Sequence, residues 1–578
     1  MSSSGSLLLV LHSHLPYVLR HGRWPHGVEW LLEAAAECYL PIVVACSELR
    51  RDGIEARLTL SLSPVLVEQL ADEEFPGLFE EYLEDRAERA ESDRRTFLDE
   101  SAPELAAVAE YWRDWYRRQH STFVERCGRD ILGAIRDLRD AGTIGLQTCG
   151  ATHGYFPLLG NDSSIHAQIQ VALDAHWRHF RHRPRGIWMP ECAYRPAGFW
   201  RAPTDEHAPE SGYRAGVEAL IAAGGMDHTV VDAHSVRGAE PINWYSSRFG
   251  RSVGAGKVVP LDDPRSLFDS YRIASSLNSE ISGVSVFPRH VETALRVWSS
   301  KSGLPGNGEY LEFHKKYHAS GHRYWSVTDR SVGLDGKQPY RPEEAEARAV
   351  TDGRAFARHI ERTVAEYRNS TGREGTICLP FDTELFGHWW HEGPTFLATL
   401  LRELGERGNV VPRTTVEQVD RSVSGLPIAL PESSWGDGGD HRVWFNDETA
   451  WTWPVLWRAE HRFGELVASR DRNDRMQERA LKQAARSLLL LQASDWQFLI
   501  TTGSAADYAT DRIRGHEQDF HDIADFVELR RSGVERQDLF NRLCRIESID
   551  RLFPALDLDH WQWKRADEAL AAPPEGSP

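Results

Sequence analysis

The sequence predicts an α/β fold, a parallel sheet covered by helices, followed by an all-helical domain. Three observations predict it. Short apolar runs alternate with helical patterns over the first two-thirds of the chain, the most polar and aromatic clusters begin where those runs stop, and from about residue 415 the pattern turns to long helices. Strand–helix alternation of this length implies parallel strands joined by helical crossovers, closed as a barrel or open as a doubly wound sheet.

Taken in order, SLLLVL (6–11) reads as a buried strand and GVEWLLEAAAECYLPIVVACSELRR (27–51) as the helix after it. ARLTLSLS (56–63), TIGLQTC (143–149), GIWM (186–189), HTVVD (228–232), GVSVF (283–287) and TICLPF (376–381) read as further strands. Residues 75–140 break the rhythm with densely charged helical runs, so they read as a helical insertion whose charges form a solvent face. Residues 235–280 lack periodicity and read as a mobile surface loop. Their GRSVGAGK has neither GxxxxGK[ST] spacing nor a helix behind it, which argues against a phosphate cradle. NDRMQERALKQAARSLLLLQASDWQFLI (473–500) and HEQDFHDIADFVELRRSGV (516–534) read as long helices. The expected organisation is a parallel-sheet domain over 1–415, a helical domain over 416–565 and a disordered tail over 566–578.

Composition narrows the function classes. With 67 Lys+Arg against 86 Asp+Glu the net charge is −19, so a nucleic-acid groove or an anionic membrane site would work against the overall field, and a neutral partner is the easier reading. Seven cysteines without a CxxC pair suit a reducing, cytoplasmic setting and offer neither a zinc knuckle nor a disulfide framework. The start MSSSGSLLLVLHSH has no basic region before its short apolar run, and no stretch approaches the roughly 18 apolar residues of a membrane span. Twenty tryptophans are many, and a good share sit beside Gly, Asp, Glu or His, where a flat indole face can stack on a sugar.

Four polar clusters follow predicted strands: HSHLPY (12–17), CGATHGYFP (149–157), PECAY (190–194) and DTELFGHWWHEG (382–393). In parallel α/β folds the C-terminal strand ends are where loops converge over the sheet, so the four clusters are expected to share one pocket. His12 and His14 point to one face of an extended strand, and with His153 they raise a metal question. With no HExxH and no acidic cluster beside them, contacts to a substrate are the favoured reading. Glu191 and Asp382 are the strand-end acids with aromatic neighbours. Two carboxylates on opposite walls of a pocket can divide the labour of glycosidic cleavage, one as nucleophile or base and one as acid. Glu384, on the same side of an extended strand as Asp382, competes for the acid role. Either acid alone could instead be a structural ion pair, with Arg195 or His388 nearby.

HSHLPY, TCGATHGYFPLLG, GIWMPECAYRPAG, FDTELFGHWWHEG and SSWGDGGDHRVWFNDETAWTW resemble the five ordered motifs of glycoside hydrolase family 57, most closely those of its 1,4-α-glucan branching enzymes. The match runs from about residue 6 to about 545 and takes in VWSSKSGLPGNGEYLEFHKK (297–316) and ASDWQFLITTG (493–503). The resemblance implies an incomplete (β/α)7 TIM-like barrel with a helical insertion and a C-terminal helical domain. It implies a retaining double displacement on an α-glucan, with Glu191 as nucleophile and Asp382 as general acid and then base. Trp30, Trp298, Trp435 and Trp444 match glucan-binding positions, and His12, His14, His153 and Asp495 are further expected substrate contacts. No metal or organic cofactor is implied. Branching members carry a lid loop tipped by a tyrosine, and EPINWYSSRF places Tyr245 at the equivalent position. RAPTDEHAPESGYRAGVEAL (201–220) looks extended relative to the family and is expected to alter a rim loop. Rival readings are an α-amylase or 4-α-glucanotransferase on the same site, a metal-dependent hydrolase or deacetylase built on the HxH, and an idle glycan-binding protein.

Overall fold

The structure, a computed structural model, describes residues 4–23, 25–55, 57–237, 265–274, 281–299, 301–422 and 427–563. Seven parallel strands line its core: β1 (Gly5–Ser13), β2 (Leu58–Leu62), β3 (Ile144–Cys149), β4 (Ile187–Trp188), β5 (His228–Val231), β6 (Ile281–Pro288) and β7 (Gly375–Asp382). Ladders join β7, β1, β2, β3 and β4 in that order, and β5 to β6. Single parallel bridges, Gly186 to His228 and Arg289 to Cys378, close the two seams. The result is an incomplete TIM-like barrel, fully laddered over five strands and stitched by one bridge at each seam.

All seven predicted strands are present. Four short pieces escaped the sequence reading: Val410–Arg413 beside the start of β1, the hairpin Gly198–Trp200 with Gly212–Arg214, Tyr271–Ala274 antiparallel to β6, and Pro427–Ile428 beside Tyr271–Ala274. Tyr271–Ala274 lies in the stretch expected as a loop. The rest of that stretch from residue 238 to 264, with Tyr245 and GRSVGAGK, lies outside the described residues, as does the tail 566–578.

Inward side chains alternate along each strand. Leu8, Val10, Cys149, Trp188, Val230, Phe287 and Cys378 form one buried cluster inside the barrel. Burying each large side chain contributes about 1.5–3 kcal/mol. The same alternation carried upward from Leu8 and Val10 puts His12 inside the barrel mouth, and from Cys378 it puts Asp382 there. The two are register partners on adjacent strands.

Helix Val28–Ala34 continues through a π turn at Ala35–Tyr39 into Leu40–Arg51. Contrary to the expectation, this run is long and apolar enough on average to match a membrane span, with a mean hydropathy of 1.4, but 67% of that window is buried inside the protein. It is a core helix, its Leu31, Leu32, Ile42 and Val43 packed into the main cluster. The π turn adds one residue to a turn, a device common at functional sites, and here Glu37 and Tyr39 sit on it.

The insertion forms helices Phe75–Asp99 and Pro103–Ser121, packed on each other. Its charges are not its whole character, because Phe79, Leu83, Trp112 and Tyr116 are buried. The Trp112 indole donates to the Arg323 carbonyl at 2.6 Å, and the Tyr324 hydroxyl donates to Asp93 at 2.6 Å. The hairpin thereby holds the segment that follows Trp298. Ile131–Asp140 packs against β3 as an ordinary barrel helix.

The C-terminal helices are Thr452–Ala468, Arg475–Leu491, Asp495–Thr502, Ala506–Arg531 and Gln537–Ile549. The stretch 473–500, read as one helix, is broken at 492–494. Asp474 caps its start by accepting from Met476 and Gln477. At the break, Ala493 bridges Gly154 and the Ser494 amide donates to the His153 carbonyl at 3.0 Å. Tertiary pairing with the β3 loop outcompetes helix continuation, and it turns Ser494 into the barrel mouth.

Candidate active site

Glu191 follows β4 in a one-turn helix, Pro190–Cys192, with φ 60° and ψ 22°. Left-handed backbone at a residue with a side chain is costly and persists where surroundings over-determine it. His153 (φ 61°) and Cys192 (φ 48°) share this conformation. Here the surroundings are hydrogen bonds. The Trp435 amide donates to the Glu191 carbonyl at 3.0 Å, the Trp435 indole donates to Glu191 Oε2 at 2.8 Å, and Ser494 Oγ donates to Glu191 Oε1 at 2.9 Å.

The Ser494 bond fixes the direction of a longer chain. With its proton given to Glu191, Ser494 accepts from His153 Nδ1 at 2.8 Å; His153 Nε2 accepts from His12 Nε2 at 3.0 Å, and His12 Nδ1 accepts from Ser61 Oγ at 3.1 Å. Both imidazoles are neutral in this arrangement, in keeping with burial pushing their pKa values well below the usual histidine range. His12 also stacks on Trp188, ring centroids 4.5 Å apart and planes parallel. Beside them His14 stacks on His153 at 3.9 Å, bonds Ser63 Oγ at 2.8 Å and holds Asp495 at 2.9 Å.

Asp382 ends β7 on the far side of His12. The two acids sit in different settings. Burial raises the Glu191 pKa to about 7, against the two donors that favour its charged form. Asp382 is held well above the usual carboxylate range by burial first, then by the charges of Glu384 and Glu191, with Arg289 opposing. Asp382 therefore feels Glu191's charge across the mouth, and the donors favour ionisation of Glu191 while Asp382 keeps its proton. Arg289, at the end of β6, pairs with Asp232 and lies 5.5 Å over the Trp435 ring.

The structural ion pairs weighed for the two acids do not form. Arg195 bonds Asp162 at 3.2 Å, and His388 bonds Glu37 at 2.7 Å. Glu384 does not share a strand face with Asp382, because the strand ends at Asp382 and Thr383–Leu385 is a helical turn. Its carboxylate instead accepts from the Tyr39 hydroxyl at 2.5 Å. Glu37 accepts from Arg323 at 2.7 Å, and Arg323 donates to the His388 carbonyl at 2.7 Å, so the π turn braces the loop after β7. That loop approaches so closely at Gly387 (φ 124°) that a Cβ would lie 1.8 Å from the Glu37 carbonyl oxygen.

The expected tryptophans divide. Trp435 reaches Glu191 with its N–H, and Trp298 stands 5.3 Å from Trp389 of the β7 loop. Trp30 packs against His26 and Tyr508, beside a C-terminal helix. Trp444 is a correction: it is 1% exposed and stacks on Tyr155 at 4.5 Å, so it is core behind the site and offers no face to a sugar. His12 and His153 are likewise buried, and they act on Glu191 where contact with a sugar was expected. His14 and Asp495 remain partly open. Ser494, Arg289, Glu37 and Tyr39 were not singled out from sequence. Arg289 could have been, since FPRH follows a predicted strand as the other clusters do.

Comparison with known proteins agrees with this geometry. Residues 8–424 match Glycosyl hydrolase family 57, and residues 455–561 match the family described as 1,4-alpha-glucan branching enzyme, C-terminal. A 1,4-alpha-glucan branching enzyme of Thermococcus kodakarensis is 39% identical over 521 residues, 90% of this chain and 73% of that protein. The crystal structure of the Thermococcus enzyme superimposes with a TM-score of 0.88 at 37% identity, covering 97% of each chain. An α-amylase of Thermotoga maritima superimposes with a TM-score of 0.78 at 26% identity, covering 97% of this chain and 99% of that one. With the two acids at the mouth of a seven-stranded barrel and a family match over most of its length, the chain belongs to glycosyl hydrolase family 57.

Proposed function

We propose that this protein is a 1,4-α-glucan branching enzyme, cutting an α-1,4 bond in a glycogen- or amylose-type glucan and rejoining the freed segment through an α-1,6 bond. The observation that carries the reading is that residues 455–561, which match the branching-enzyme C-terminal family, supply Ser494 to Glu191 and Asp495 to His14. In the first step Asp382 gives its proton to the glycosidic oxygen as Glu191 attacks the anomeric carbon; the C1–O4 bond breaks and a glycosyl ester forms. In the second, the Asp382 carboxylate takes the proton of an acceptor 6-hydroxyl as that oxygen attacks C1 and frees Glu191. Two inversions at one carbon retain the α configuration. The donors on Glu191 suit a nucleophile that must be charged, and the proton on Asp382 suits an acid.

Branching also requires that the ester outlast bulk water, so the acceptor must be held and water excluded. Tyr245, outside the described residues, keeps its proposed role as lid tip. Incubation with amylose followed by proton NMR tests the activity: new α-1,6 anomeric signals are expected. Reducing ends without branch signals would favour the rival reading, an α-amylase or 4-α-glucanotransferase. His12, Cys149 and His153, and His14, His153 and Asp495, lie close enough together to hold a metal ion, so chelation discriminates the metal-dependent rival. Exhaustive chelation is expected to leave turnover unchanged. A cytoplasmic location is supported by the seven free cysteines.

A further inference from the structure

The hairpin Gly198–Trp200 and Gly212–Arg214 brackets the first part of the extended segment 201–220, and it sorts its side chains sharply by face. Trp200 and Arg214 point inward, where the Arg214 guanidinium lies 4.9 Å over the Trp200 ring and Trp200 meets Trp457 at 6.4 Å. Arg214 Nε donates to Asp162 at 2.5 Å, its Nη2 donates to the Leu159 carbonyl at 3.2 Å, and the Ala215 amide donates to Asp162 at 2.7 Å. The outward face carries Phe199 and Tyr213, which are direct cross-strand partners, 65% and 74% exposed, with ring centroids 5.9 Å apart. An anchored hairpin that displays two large aromatic rings side by side to solvent is a rigid platform, and exposed apolar clusters of this kind mark binding surfaces.

We infer that Phe199 and Tyr213 form an α-glucan docking platform outside the catalytic mouth, stacking on the sugar rings of a long chain. This rests on the α-glucan reading above. The occupant follows from three features. The displayed pair carries no charge and the net charge of −19 opposes an anionic partner, and a neutral ligand with apolar ring faces fits two uncharged aromatic rings. The hairpin is continuous with the nucleophile loop: Tyr194 bridges Ser433 two residues before Trp435, and Phe199 lies eight positions after Glu191. Eight residues span at most about 29 Å, a distance that a polymeric glucan chain can bridge. Binding the second point is then intramolecular and strengthens retention of long chains over short ones.

The test is the double substitution Phe199→Ala, Tyr213→Ala beside Phe199→Trp, Tyr213→Trp. Both positions are exposed, and a thermal midpoint matched to wild type checks the fold. In native gels containing amylose, retardation of the alanine variant is expected to fall at least threefold and that of the tryptophan variant to hold. Turnover of a short maltooligosaccharide is expected to stay unchanged in both. Wild type that branches amylose yet is retarded no more than the alanine variant overturns the platform alone. A wild type that forms no α-1,6 linkages overturns the activity, and the platform's ligand with it. Loss of a dimer in the alanine variant by sedimentation, with retardation intact, would assign the pair to contact between copies and also overturn the platform.

Discussion

Replacing Ser494 by alanine removes the last link of the hydrogen-bond chain that ends on Glu191, and the consequence can be worked from the structure. Ser494 gives one neutral hydroxyl proton to Glu191 Oε1 at 2.9 Å. A hydrogen bond to a charged group contributes about 1.5–3 kcal/mol, and one pKa unit corresponds to about 1.36 kcal/mol. The bond favours the ionised carboxylate, so its loss raises the Glu191 pKa, from about 7 by roughly one to two units. The nucleophile must be charged, so the acid limb of the kcat/KM profile is expected near pH 7 in wild type and at pH 8 to 9 in the variant. At pH 7 the ionised fraction falls from about a half to about 1–10%, a loss of roughly five- to fiftyfold, much of it recovered at pH 9. The assay is initial-rate transfer on a maltooligosaccharide between pH 5 and 10. A loss of the same size at every pH, or an acid limb that stays at pH 7, would refute the electrostatic account and leave Ser494 a packing residue.

Glu191→Gln and Asp382→Asn are each expected to lower transfer by at least about a thousandfold while maltooligosaccharide binding by calorimetry persists; near-wild-type turnover in either would remove that residue from the chemistry. Glu384→Gln deletes a negative charge that raises Asp382, so the alkaline limb of the same profile is expected to move to lower pH, and an unmoved limb would mean that Glu384 acts only through Tyr39. Phe287→Ala opens the barrel interior, where Phe287 is 1% exposed; a loss of about 3–5 kcal/mol is expected in urea unfolding of the folded state, and a loss below 1 kcal/mol would show that the interior collapses around the gap.

How much of this was legible follows from which interactions are local. The seven strands were readable because each is an apolar run long enough to outweigh its neighbours, and the strand-end rule then brought Glu191, Asp382 and the three histidines to one mouth. Tyr271–Ala274 and Val410–Arg413 were missed because Arg272 and the pair Pro412–Arg413 interrupt their apolar runs, and they owe their conformation to β6 and β1. The break at 492–494 was hidden for the same reason: the LLLLQASDWQFLI pattern stays helical in period, and only pairing with Gly154 ends the helix. Trp444 shows the limit of composition. An indole beside polar residues reads as a sugar platform until the fold stacks Tyr155 on it. Ser494 and Tyr39 act through partners hundreds of positions away, a relation that no spacing within the chain encodes.

The raised pKa of Glu191 sets activity against stability. A carboxyl whose folded pKa lies above its unfolded value contributes stability that is complete below about pH 4.5 and is lost as pH rises through about 7. From 4.5 to about 7 is about 2.5 units, so ionised Glu191 costs the folded state roughly 3 kcal/mol above pH 7. Glutamine at 191 cannot ionise, but its amide nitrogen meets one of the two donors now facing the carboxylate, which returns about 1 kcal/mol of that gain. The net of about 2 kcal/mol should make Glu191→Gln melt about 1–2 °C higher than wild type at pH 8 and no higher at pH 4.5. Equal melting points at both pH values would mean that the site accommodates the charge without cost.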